Sequence, residues 1–151
     1  MLIRPITKEE RLQSAKLLTI ESGDLTISAA DDAIHCDYTL QIGAEGTDGP
    51  AISITDCDEG LEAAALHVAS GDIRIRASDD CLNAANSDLS GFDFSMDISG
   101  GTISAYTTDG DGFDSNGSMT ISGGTPPEKP DGGTLPERPD NASEPPEPGN
   151  L

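Results

Sequence analysis

Tryptophan is absent from this chain, and aromatic residues make up only 3% of it. A compact core of large rings is therefore excluded, since aromatic side chains bury the most area per residue. Positive charge is also scarce. Lys and Arg number 8 against 28 Asp and Glu, giving a formal charge of −20 over 151 residues. Such a surface offers no cationic footprint to a phosphate backbone, which excludes generic nucleic-acid binding. It suits a highly soluble protein, or one that takes up cations. No apolar run approaches the ~20 residues of a membrane span. The opening MLIRPITKEERLQ lacks the apolar core of a secretory signal. Cysteine is limited to Cys36, Cys57 and Cys81, an odd count without CxxC spacing, so a zinc knuckle is not expected. These read as buried small thiols. Histidine is limited to His35 and His67, neither in a nucleophile motif. No pair of carboxylates stands apart as a glycosidase acid and base, so no catalysis is expected.

Glycine is frequent at 17 residues, and the apolar residues are mostly small or β-branched. This favours thin, repetitive β structure. The repeat is explicit. LTISAADDAIH (25–35), ISITDCDEGLE (52–62) and IRIRASDDCLN (73–83) align without a gap, and ISAYTTDGDGFD (103–114) fits with one insertion. Each line opens on an apolar/polar alternation, the mark of a strand with one buried face. An acidic pair follows, then a small residue, then one apolar residue pointing inward. The inward residues Ile34, Leu61, Leu82 and Phe113 are spaced by 27, 21 and 31 residues. A unit of this length with two or three short strands is one coil of a parallel β-solenoid. Its apolar residues are buried only when coils stack at ~4.8 Å. An all-β fold of about four to five coils is expected. An antiparallel sandwich is the alternative, with Asn116-Gly117 as its one hairpin-type turn.

Three regions follow. In residues 1–16, Thr7 and Glu10 form a capping-box pattern behind Ile6, which predicts a short helix within TKEERLQSAKLL (7–18) covering the first coil. Residues 17–125 form the solenoid. Residues 126–151 are Pro-rich and acidic, contain the near-duplicates PEKPDGGT and PERPDNAS, and read as a disordered or extended spacer.

Stacking places the acidic corners in columns. Asp32, Glu59 and Asp80 form one column, continued by Asp111, and Asp31, Asp58 and Asp79 form its neighbour. Two carboxylates ~4.8 Å apart repel by about 1 kcal/mol even in bulk water. Like charges directly opposite each other across strands destabilise a sheet. Calcium, which takes several oxygen ligands in flexible geometry, is a natural remedy. A further column, His35, Glu62, Asn83 and Asp114, lies one residue beyond the inward apolar position. The candidate calcium ligands are therefore Asp31, Asp32, Asp58, Glu59, Glu62, Asp79, Asp80, Asn83, Asp109, Asp111 and Asp114. Plain solvated turns are the competing account, since Asp, Asn and Gly favour turns for local reasons. The stretch TDGDGFDSNG (108–117) is rich in ligands but is not an EF-hand loop.

The segment ANSDLSGFDF lengthens the path from Leu82 to Met96 and predicts a loop leaving the coil. It brings Phe92 toward the acidic corner, while Tyr106 lies on the outer face of the next coil. Exposed rings are stacking platforms for sugars. Arg74 and Arg76 project from the outer face of one strand. Phe92, Tyr106, Arg74 and Arg76 are the candidate ligand contacts. Packing of the phenylalanines onto the solenoid, and of the arginines against acidic neighbours, is the alternative.

ADDAIHCDYTLQI, DEGLEAA, SDDCLNAANSDLSGFDFSMDISGG and GDGFDSNGSMTISGGT resemble a known family: calcium-containing, carbohydrate-binding parallel β-helix domains of proteins secreted by plant-cell-wall-degrading bacteria. The resemblance covers roughly residues 15–125. It implies a right-handed parallel β-helix, bound calcium, and binding to cellulose or to pectic polysaccharide such as polygalacturonate. Cys81 stands where the family usually has Gly, and Ala33 is similarly changed. The expectation is a monomeric, secreted or surface-attached binding module whose export signal lies outside this chain. A pectate-lyase-like polysaccharide lyase, by analogy of fold, and a structural spacer of a surface adhesin are the alternatives.

Overall fold

Alternating side chains become alternating burial. In Asp72–Ala77 every second residue (Ile73, Ile75, Ala77) is buried and those between are exposed. A computed structural model describes residues 12–14 and 16–125. The strands are β1 (Leu12–Ser14), β2 (Leu17–Ile20), β3 (Asp24–Ser28), β4 (Ile34–Ile42), β5 (Ala51–Asp56), β6 (Leu61–Val68), β7 (Asp72–Ala77), β8 (Leu82–Ala84), β9 (Ser95–Ile98), β10 (Thr102–Thr107), β11 (Phe113–Ser115) and β12 (Ser118–Ile121). All pairings among them are parallel. One sheet runs in the order β3, β5, β7, β10, and the other strands form the second sheet. The chain alternates between the two, so it is a β-solenoid of about four turns.

Register is what makes this a stack. Leu18, Leu40, Leu66, Met96 and Met119 pair in one column, and Ile20, Ile42, Val68, Ile98 and Ile121 in the next. Ile34, Leu61, Leu82 and Phe113 form a third on the same sheet. Leu25, Ile52, Ile73 and Ile103 answer them from the other sheet. The inner members of these columns are the core, closed between two thin sheets, while Met119 and Ile121 on the last coil stand exposed. Each fully buried Leu or Ile contributes about 1.5–3 kcal/mol. The turn opposite the acidic corner uses glycine. Gly23, Gly71, Gly101 and Gly124 all have positive φ, from 88° to 124°, which only glycine adopts at no steric cost.

No helix occurs among the described residues, and so none is long and apolar enough to cross a membrane. The helix expected within 7–18 is overturned where it can be seen. Leu12–Ser14 pairs with β4 at Ile34–Cys36, and Leu17–Ile20 pairs with β4 at Thr39–Ile42. The edge of β4 requires hydrogen-bond partners, and over these strands this outweighs a local helix preference. Residues 1–11 and 126–151 lie outside the described residues, and with them the rest of the cap and the Pro-rich spacer.

One corner departs from the repeat. Opposite Ala64, β4 carries an extra residue between Cys36 and Thr39, and the next coil replaces that corner with a loop from Ala85 to Phe94. Asn86 Nδ2 donates to the carbonyl of Asp37 at 2.9 Å and ties the loop to the bulge. All three cysteines are buried and free, in separate columns.

Candidate functional site

In four successive coils the acidic corner joins the end of one sheet's strand to the other sheet. Asp31-Asp32 follow β3, Asp58-Glu59 follow β5, Asp79-Asp80 follow β7, and Asp109 and Asp111 follow β10. Backbone bonds carry the register through it. Ala33 N–H donates to Glu59 O at 2.8 Å, Gly60 to Asp80 at 3.0 Å, and Cys81 to Asp111 at 2.9 Å. Asp58 N–H donates to Asp31 O at 3.2 Å, and Asp79 to Asp58 at 3.0 Å. Gly60 is needed for this close approach, because a Cβ there would lie 2.3 Å from the carbonyl oxygen of Cys81. Both carboxylate columns therefore exist at the level of the backbone.

Their side chains divide into two groups. Asp58, Asp79, Asp109 and Asp111 are exposed, with Asp80 half-buried among them. Asp80 Oδ1 accepts the N–H of Asp111 at 2.7 Å, and Asp58 Oδ1 accepts the hydroxyl of Ser78 at 2.7 Å. The Asp79 carboxyl is held above the usual range, first by the charge of Asp80, then by desolvation and by Asp58, Asp109 and Asp111. These carboxylates leave unbalanced negative charge on an open corner, but among the described residues it is Asp32, His35 and Glu62 that bring three donor atoms within 4.8 Å of one another, so the exposed carboxylates would have to swing together to share a cation.

The second group turns toward the column His35, Glu62, Asn83, Asp114, whose backbone stands in register. His35 Nδ1 lies 2.7 Å from Glu62 Oε1 and 3.2 Å from Asp32 Oδ2, and Nε2 lies 2.9 Å from Asp37 Oδ1. Hydrogen bonding to Asp32 and then Glu62 pushes His35 up to about 10, against the opposing effect of burial. Glu59 is pushed up to about 8, first by burial and then by its contact with Glu62. Asn83 Nδ2 donates to Glu59 Oε2 at 3.1 Å. In its protonated form this imidazole neutralises part of the acidic column from within. The sequence places His35 in that column, but oxygen-donor reasoning passed over it. A base in line with Glu62, three residues after Asp32 and two before Asp37, is the signal that finds it.

The sugar-contact candidates separate as well. Arg74 and Arg76 stand exposed on β7, with Arg74 Nη2 at 3.3 Å from Asp72 Oδ2. Arg76 Cζ lies 4.8 Å from the centre of the Tyr106 ring, which is 55% exposed. Register sets Ser53 and Ser104 beside Arg74, and Thr26 beside Ser53. This outer face is a strip of hydroxyls, two guanidinium groups and one ring, with the carboxylates of Asp24 and Asp72 at its edge. Phe92 is elsewhere. It packs at 6.1 Å from Tyr38 and 5.6 Å from Phe94 (centre to centre), half-buried over the bulge. Tyr38 is the aromatic residue that the sequence reading missed.

No family model, curated protein or solved structure matches this chain.

Proposed function

We propose that this chain is a non-catalytic module that binds plant cell-wall polysaccharide, polygalacturonate in preference to cellulose, and that calcium at the exposed acidic corner braces its coils. The observation that carries the reading is the outer face of β3, β5, β7 and β10. Among the described residues, Lys and Arg occur only at Lys16, Arg74 and Arg76. In so acidic a chain, setting both arginines on one face beside an exposed Tyr106 suits a ligand that is itself anionic and presents apolar sugar faces. Bound calcium supplies charge neutralisation, and a cation shared between Asp carboxylates and uronate carboxylates extends the contact. The family resemblance of the corner motifs points the same way, and with it a secreted or surface-attached location.

Retention on insoluble polygalacturonate and on cellulose tests this, with calcium and with a chelator. Calcium-dependent retention on the uronate polymer is expected, without release of unsaturated sugar. Replacing Arg74, Arg76 and Tyr106 together by Ala should weaken binding about tenfold or more, since each contact contributes on the order of 1 kcal/mol. Unsaturated product would establish the lyase reading. Wild-type binding by the triple variant, or no retention on either polymer, would overturn the proposal and leave the structural spacer.

A further inference from the structure

The inner cluster differs in chemistry from the exposed corner. Asp32, His35 and Glu62 each offer one donor atom, and the three atoms lie within 4.8 Å of one another. One of the donors is nitrogen. Calcium prefers oxygen throughout, whereas zinc takes imidazole and carboxylate together.

The geometry favours a metal at His35 Nδ1. Asp37 Oδ1, 2.9 Å from Nε2, accepts the ring N–H on that side. In the neutral imidazole this tautomer leaves the Nδ1 lone pair facing Asp32 and Glu62. A carboxylate behind a histidine in this way fixes ring orientation at metal sites. A single proton on Nδ1 aligns with one carboxylate oxygen or is divided between the two, whereas one ion contacts both fully. Ligand bonds of ~2.0–2.1 Å in a tetrahedron set neighbouring donors about 3.3 Å apart. The observed separations from Nδ1 are 3.2 Å to Asp32 and 2.7 Å to Glu62, so small shifts suffice. The three side chains are 14–17% exposed, which leaves access for water as a fourth ligand.

Asn83 adds an independent sign. It is 7% exposed, its amide lies against Glu59 and Glu62, and its Oδ1 is buried without a hydrogen-bond partner. A buried amide oxygen left unpaired costs about 1–3 kcal/mol. Turning the amide over would bring that oxygen to the carboxylates, where a bound cation would satisfy it.

We infer that Asp32, His35 and Glu62 form a site for zinc or a similar borderline divalent metal, separate from the calcium corner and independent of polysaccharide binding. Bound there, the ion ties the coil of β3 and β4 to the coil of β5 and β6.

Calorimetric titration of the full chain with zinc chloride, in excess calcium, tests this. One zinc per chain is expected. His35→Gln and Glu62→Gln should each lower zinc affinity by about 100-fold or more, and Asp79→Asn should leave it unchanged. Nitrogen NMR of the wild-type chain keeps the test valid if a variant fails to fold. The His35 Nδ1 resonance should move on zinc addition while that of His67 stays. Absence of zinc binding, unchanged affinity in both folded variants, or an unperturbed His35 resonance would each overturn the inference. Loss of polysaccharide retention alone would leave it standing.

Discussion

Leu66→Ala is expected to lower the free energy of unfolding by about 3–5 kcal/mol, while Met119→Ala, in the same column, costs less than about 1 kcal/mol. The two residues differ in position within the stack. Leu66 is fully buried between Leu40 and Met96, whereas Met119 is 41% exposed on the last coil, beside Ile121 at 59%. Removing Leu66 therefore opens a cavity between two coils that cannot collapse without shifting strands on both sides. Removing Met119 deletes surface already in water. Against a total stability of about 5–15 kcal/mol for an ordinary domain, the interior change is severe. Urea unfolding followed by circular dichroism measures both. Equal costs for the two variants would mean that the columns do not carry the stability of the stack.

In chelator and without added metal, stability is expected to fall as pH rises from about 5 to about 10, by roughly 2 kcal/mol from His35 alone. The sign follows from the proton balance. His35 is raised from 6.5 to about 10 in the folded chain, so its stabilisation is complete below pH 6.5 and is lost as pH rises to about 10. Glu59 is raised from 4.5 to about 8, so the cost of ionising it within the fold appears between those values. The folded state holds more protons in both windows, and stability declines through each. The groups facing the ring are Asp32, Asp37 and Glu62, with Glu59 behind Glu62. His35→Gln removes their cation. It should cost about 2–3 kcal/mol at pH 6, and the decline above pH 7 should flatten. Thermal melts across pH for both proteins measure this. A parallel pH dependence in the variant would remove His35 from the account.

Much of the fold was legible because the repeat is local and gapless. Ile34, Leu61 and Leu82 share a grammar with their flanking residues, and parallel stacking turns that grammar directly into the observed pairings. The order of the corners was legible for the same reason. The directions of the side chains were not. Asp32 and Glu59 occupy the same column as Asp80 and Asp111, yet the first two lean toward His35, Glu62 and Asn83 while Asp80 meets the backbone of Asp111. Periodicity gives register and face, but rotamers depend on neighbours that no repeat specifies. The bulge at Asp37 and Tyr38 is a second case. A single extra residue in β4 re-aims Tyr38 outward, and Phe92 packs edge-on against it there. The N-terminal strands show a third limit. A helix pattern is a local preference, and over Leu12–Ser14 and Leu17–Ile20 pairing with β4 is a tertiary demand that overrides it.

The acidic corner as a calcium site is tested most directly by the melting temperature of the full chain in calcium, in magnesium and in chelator. At about 100 times its dissociation constant, a ligand of the folded state adds about 2.7 kcal/mol. For a chain of this length that amounts to a rise of roughly 5–10 °C. Calcium should give that rise and magnesium much less. The combined Asp79→Asn and Asp80→Asn substitutions should abolish most of it, and His35→Gln should preserve it. Identical melting in calcium and in chelator would contradict the account.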